Sequence, residues 1–225
     1  VVNGKIVVGY YRFNTHDIIP ITNCPIIDEK LNKVVSLFLK YTNSNFEKFN
    51  GNLFRHLLGR VINSKLTIAV VINGDFLPEY NKFVQILKDE FNNDFSLYLI
   101  INKADTNVIL SNNIKLLYGD AAKTELFNLK INVSPLSFFQ VNDRIMNLIY
   151  SEVCKNASNE TVIDAYSGAG LLTALLSKTA KFVYGIEYIQ EAVADSDNLM
   201  KTNNIANVKN YCGDVKDVLP NLIKD

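Results

Sequence analysis

The chain has no tryptophan, two histidines, two methionines and three cysteines in 225 residues. Cys24, Cys154 and Cys212 are odd in number and lack paired spacing, which argues against a disulfide framework and against a zinc site. A reducing, cytoplasmic compartment is the expectation, with no metal. A charge excess is also missing: 23 Lys+Arg balance 23 Asp+Glu, for a formal net charge of +0. A globally basic nucleic-acid binder would not look like this, so any such binding must use a local patch. No apolar run approaches the roughly 20 residues of a membrane span, so no membrane partner is expected. The opening VVNGKIVVGYYRF is too interrupted by polar residues to read as a signal peptide. It starts at Val1 without a methionine, so the chain is expected to be a piece of a longer protein. Repeats and low-complexity segments are lacking too. What is present is ordinary globular material, 48% hydrophobic and 20% charged, enough for one to two domains.

The informative stretch is Thr161 to Glu187, TVIDAYSGAGLLTALLSKTAKFVYGIE. Val162 and Ile163 are β-branched, as in a strand buried on both faces. Gly168 and Gly170 let the backbone turn sharply and approach a ligand closely. Leu171, Leu172, Leu175 and Leu176 repeat at helical spacing. Phe182, Val183 and Ile186 rebuild a strand, and Glu187 stands at its carboxyl end. Ligands bind at that end of an open α/β sheet, where a carboxylate can accept both ribose hydroxyls.

Nicotinamide dinucleotides and S-adenosylmethionine both suit such a unit. The dinucleotide fingerprint G-x-G-x-x-G/A has Thr173 at its third position here, so the small residue for close packing is missing. Asp164 ends the first strand where a pyrophosphate would be repelled and a methionine ammonium attracted. The stretch therefore favours S-adenosylmethionine, with an unliganded βαβ crossover as the bland alternative.

Upstream, Lys5–Arg12 and Asp17–Ile21 read as short strands joined by Asn14 and Thr15. Asp28 suits the N-cap of a helix with Leu31, Val34, Val35 and Phe38 on one face. Leu53–Ile62 and Lys65–Ile72 read as a strand pair turning at Asn63-Ser64. Pro78 opens a helix with Phe83, Ile86, Leu87 and Phe91 inward. Phe95–Ile101 is an apolar strand, with shorter candidates at Ile114–Tyr118 and Leu129–Val133. Neighbouring strands favour a mixed α+β layer over a doubly wound sheet. Asn142 and Asp143 then suit the start of a helix with Ile145, Leu148, Ile149 and Val153 on one apolar face. After Glu187 a helix over about Ile189–Lys201 turns Ala192, Val193 and Leu199 inward, and Val208–Cys212 forms a third strand. The domains are placed at 1–133, mixed α+β, and 134–225, Rossmann-like. Arg55, His56 and Arg60 form the densest basic cluster, readable as an RNA-contacting patch or as a solvated strand edge. Arg12 and His16 stand similarly. Phe138 and Phe139 suit a core, and Cys212 a buried strand position.

SPLSFFQVN, VIDAYSGAG, VYGIE and NVKNYCGD, in that order and spacing, resemble the bacterial RNA 5-methyluridine (uracil-C5) methyltransferases. GYYRFNTHDIIPITNCPI and GNLFRHLLGRV resemble upstream segments of that family, so the likeness runs over essentially the whole chain. The SFFQVN hexapeptide is the discriminating piece, because the glycine loop is shared by very many methyltransferases. The resemblance implies the amino-terminal half of a Rossmann-like S-adenosylmethionine-dependent domain behind an α+β domain that helps grip RNA, transfer or 23S ribosomal. It implies cofactor contacts at Gln140, Tyr166, Gly168, Gly170, Glu187 and Asp214. Ser167 departs from the cysteine usual in the loop, which is not the nucleophile.

C5 of uracil is a poor nucleophile. In that family a thiolate adds to C6 to activate C5, and a base then removes the C5 proton. The base must also leave its stack to be reached. None of the three cysteines matches the family's nucleophile, and neither the nucleophile's segment nor the general base is found in the chain. No catalytic residue is therefore assigned, and the chain alone is expected to be inactive. The rival readings are a noncatalytic cofactor- or RNA-binding module, an NAD-binding domain, and methylation at another atom such as cytosine C5. A missing neighbour for the first strand of the nucleotide-binding sheet would leave an exposed edge, and self-association through it is expected.

Overall fold

The computed structural model describes residues 1–44, 46–49, 52–106, 108–120, 123–132, 135 and 143–223. These divide into two compact units, Val1–Ala122 and Lys123–Asp225.

Unit 1 begins with a hairpin, β1 (Gly9–Tyr11) and β2 (Ile18–Pro20), paired antiparallel with Tyr11 opposite Ile18. The Asp28 carboxylate accepts the Lys30 N–H at 2.8 Å and opens α1 (Glu29–Ser44), as its N-cap position requires. β3 (Phe54–Ile62) and β4 (Lys65–Ile72) follow. Asn63 and Ser64 between them both have positive φ, the geometry of a tight two-residue hairpin turn. α2 (Tyr80–Phe91) crosses over to β5 (Phe95–Ile101), which lies parallel to β4, and β6 (Ile114–Tyr118) closes the order β3-β4-β5-β6. β5 reads as one unbroken apolar run because all seven of its residues are buried. The core gathers Val34 and Phe38 from α1, Phe83 and Leu87 from α2, and Ile68, Ile72 and Leu97 from the sheet. Tyr41 stacks on Phe83 with ring centroids 4.9 Å apart, and its hydroxyl donates to the Pro78 carbonyl. This mixed sheet with its helices is the α+β layer expected.

Unit 2 opens with a hairpin that the sequence reading only half contains: β7 (Lys123–Leu126) pairs antiparallel with β8 (Leu129–Asn132). The division thus falls after Ala122, and this hairpin groups with the second unit rather than with the first, where a boundary after residue 133 had put it. α3 (Asp143–Asn156) leads to β9 (Thr161–Ala165), α4 (Leu171–Leu176), β10 (Phe182–Glu187), α5 (Gln190–Thr202), β11 (Val208–Cys212) and α6 (Val215–Leu222). The strands are parallel in the order β11-β10-β9, the Rossmann-like arrangement expected. Val183 and Ile186 of β10 are fully buried. β9 lies at the edge of the described sheet, as expected, but the reading of a strand buried on both faces is corrected: it buries no residue fully and Ile163 is exposed, because one of its faces has no layer over it among the described residues. The apolar α3 face of Ile145, Leu148, Ile149 and Val153 is exposed, while Met146 is buried.

Candidate functional site

β9 ends at Ala165, and the chain then enters a backbone conformation few side chains adopt. Tyr166 has φ +63°, Gly168 +55° and Gly170 +80°. The Gly170 N–H donates to the Ser167 carbonyl at 3.0 Å, closing the turn, and the Ala174 N–H donates to Gly170 at 2.9 Å as α4 begins. The two glycines serve different needs. A Cβ on Gly168 would meet nothing within 4 Å, so open space lies in front of it. A Cβ on Gly170 would run into the side chain of Ser196, a buried residue of α5. Gly168 faces open space; Gly170 leaves room for the protein.

Glu187 is turned toward this bend. One carboxylate oxygen accepts the Gly168 N–H at 2.9 Å and the other the Ile189 N–H at 2.9 Å. An ionised carboxylate offers about four acceptor positions, so two remain for further donors. Asp214, at the end of β11, accepts the Lys216 N–H at 3.0 Å as N-cap of α6 and pairs with the Lys216 ammonium at 3.0 Å. Those hydrogen bonds hold its carboxyl below the usual range. It has a structural duty in addition to any contact with a ligand.

Behind the turn lies a cavity of about 190 Å³. Asp164, Tyr166 and Gly168 line it, with Tyr150 of α3, Lys130 and Asn132 of β8, and Asp195 and Asn198 of α5. Asp164 accepts the Thr173 hydroxyl at 2.6 Å. Burial pushes the Asp164 carboxyl above its ordinary value, and the Thr173 hydrogen bond only partly offsets this. Tyr150 is raised too, by burial and then by the Asp164 charge. Thr173 is wholly buried. The residue that breaks the dinucleotide fingerprint therefore has its own function, which is to anchor the acid at the strand end. Tyr166 is 77% exposed at the cavity mouth.

Of the residues singled out from sequence, Gly168 and Glu187 are in direct contact and Tyr166 shares the cavity with Gly168. Gly170 supports the turn from behind, and Asp214 caps the helix after β11. Gln140 and the rest of SFFQVN lie outside the described residues. Tyr150, Lys130, Asn132, Asp195 and Asn198 were not singled out. They come from a hairpin and two helix faces, and no local motif marks them. The hairpin is held by the Asn203 side chain, which accepts the Lys130 N–H at 2.8 Å and donates to its carbonyl at 2.9 Å.

The fold is shared with a solved methyltransferase bound to S-adenosyl-L-homocysteine. The crystal structure of the tRNA (uracil-54, C5)-methyltransferase of Pyrococcus abyssi in complex with S-adenosyl-L-homocysteine aligns with a TM-score of 0.74 at 18% identity, over 90% of this chain and 51% of that one. At that identity the likeness establishes the fold. No protein-family model matches the chain. Curated relatives are similar to it along its length. An uncharacterized RNA methyltransferase of Caldanaerobacter subterraneus subsp. tengcongensis is 34% identical over 97% of this chain and 51% of its own. Another, of Clostridium tetani, is 31% identical over 98% and 50%. The chain spans about half the length of these curated relatives.

Proposed function

We propose that unit 2 binds S-adenosylmethionine and that the whole protein methylates C5 of a uridine in transfer or 23S ribosomal RNA. The observation that carries the reading is the Glu187 carboxylate held against the Gly168 N–H beside open space, at the carboxyl ends of two parallel strands. The remaining acceptor positions on Glu187 suit ribose hydroxyls. Asp164, lining the cavity, suits the ammonium of the amino-acid end. Gln140, Tyr166 and Asp214 are assigned to the same ligand, with Gly168 and Gly170 shaping its approach. When bound, that cofactor supplies an electrophilic methyl group; the residues here bind and orient it. A pyrophosphate in the same place would face Asp164, which disfavours the NAD reading.

The RNA substrate is supported by the names of the relatives, and uracil C5 by the hexapeptide resemblance. Unit 1 is read as the RNA-gripping domain and unit 2 as the first half of the methyltransferase domain. Carbon activation is assigned to residues of the whole protein outside these 225, so the chain alone transfers no methyl. Mass spectrometry of nucleosides from cells with and without the gene tests the assignment. Loss of 5-methyluridine is expected; loss of 5-methylcytidine instead contradicts it. Methyl transfer to uridine by the isolated chain in a single turnover contradicts the division of labour.

A further inference from the structure

A second cavity, of about 760 Å³, lies within unit 1 beside the β1–β2 hairpin. Three rings wall part of it. Tyr11 of β1 stands 6.0 Å from His16, at 85° between ring planes, and 6.5 Å from His56 of β3, at 78°. The rings come from two segments far apart in sequence, so the convergence is a property of the fold. Perpendicular rings at these separations make corners with open faces, and Tyr11 is 51% exposed. At the hairpin tip Phe13 is 88% exposed, next to the exposed Arg12. Aromatic surface left in water like this signals a partner rather than a core.

We propose that this cleft receives an unstacked base of a single-stranded RNA segment, with Tyr11, His16 and His56 as its ring walls. This rests on the reading of the whole protein as an RNA-modifying enzyme and names where its substrate is gripped. Stacking on aromatic faces suits any base, because every base has a π-face. Burial, and then the nearby Arg55 charge, hold the His56 imidazole below its ordinary pKa. A neutral imidazole offers one donor and one acceptor to a base edge. Of the charged side chains lining the cleft, Arg55 donates to backbone carbonyls, Lys103 pairs with Asp75 at 2.7 Å and Asp105 is a carboxylate, so the rings rather than net charge carry the recognition. Arg12 at the tip adds a cation for the phosphates that flank a bound base. A ring corner of this kind recognises a splayed base and has no use for a paired one.

Photocrosslinking tests the proposal. A single-stranded oligonucleotide of about eight nucleotides carrying 5-iodouridine is bound to the purified chain, irradiated and mapped by mass spectrometry, with affinity read by fluorescence anisotropy. The crosslink is expected on Tyr11, His16 or His56. Tyr11→Ala weakens binding about tenfold, in line with the loss of one stacked base. Tyr11→Phe keeps the ring and stays within about twofold, which shows that the hairpin still folds. Phe76→Ala, at an exposed aromatic outside the cleft, also stays within about twofold. Crosslinks only elsewhere, equal affinity for Tyr11→Ala, no RNA binding, or a preference for duplex RNA each overturn the proposal. A parallel titration with S-adenosylhomocysteine reports on Glu187 alone, so failure of the cofactor reading shows up separately.

Discussion

Gly168 and Gly170 are two residues apart and answer to different neighbours. Gly170→Ala combines a strained left-handed backbone with a collision against Ser196, together roughly 2–5 kcal/mol of lost stability. Gly168→Ala carries only the backbone strain, about 1–2 kcal/mol. It places its methyl in the space assigned to the ligand, so cofactor affinity is expected to fall further than stability. Melting curves and titrations on both variants check this, and equal destabilisation contradicts it. Asp164 gives a prediction with a definite sign. Burial raises its pKa in the folded state, so the native protein holds that proton more tightly than the unfolded chain does. The associated stability is full below the unfolded value of about 3.9 and is lost as pH rises through the higher native value. Asp164→Asn is expected to raise the melting temperature at neutral pH, with the gain vanishing in acid, while cofactor affinity falls. A lower melting temperature at neutral pH contradicts the assignment. The identity of these residues was legible because a strand-end acid, two glycines and a second strand-end acid stand at informative spacing. Their separate duties were not. That Thr173 anchors Asp164, and that Ser196 dictates Gly170, depends on side chains meeting across elements.

At the level of elements, β3 changes the meaning of its own sequence. Arg55, His56 and Arg60 look like one basic cluster. In the fold the Arg55 guanidinium donates to three backbone carbonyls, of Asn102 at 3.0 Å, Ala104 at 2.5 Å and Thr106 at 3.1 Å. It ties down the segment after β5, while His56 turns to the aromatic cleft. Arg55→Ala should lower the stability of unit 1 by about 1–3 kcal/mol in urea unfolding, and Arg55→Lys should not restore it, since an ammonium lacks the planar fork. An unchanged urea midpoint contradicts that role. Elements with a clean period or strong turn signals were readable: β4 and β5 as apolar runs, α1 from its Asp28 cap, the Asn63-Ser64 turn. β7 was not, because its hairpin turns at Phe127-Asn128, where no glycine announces the positive φ of both residues. The tie from Asn203 that holds this hairpin spans 73 residues of sequence, which no local pattern records.

At the scale of the molecule, unit 2 presents apolar surface to solvent among its described residues. Ile145, Leu148 and Ile149 on α3 and Ile163 on the edge strand β9 are all exposed. We expect this surface to be covered either by further residues of the whole protein or by a second copy of the chain. Sedimentation velocity on the 225-residue chain should show association that grows with concentration, and the pair Leu148→Glu with Ile163→Lys should suppress it. A monomer at all concentrations contradicts the expectation.

The proposition beneath all of this is that Glu187 and the bend at Gly168 hold an adenosyl group and not a pyrophosphate. Calorimetric titration of the chain with S-adenosylhomocysteine and, separately, with NAD decides it. Saturable binding of the first alone is predicted, weakened about tenfold or more by Glu187→Ala, the loss expected when charged hydrogen bonds are removed. Tighter binding of NAD, or an affinity for S-adenosylhomocysteine that ignores Glu187→Ala, contradicts it.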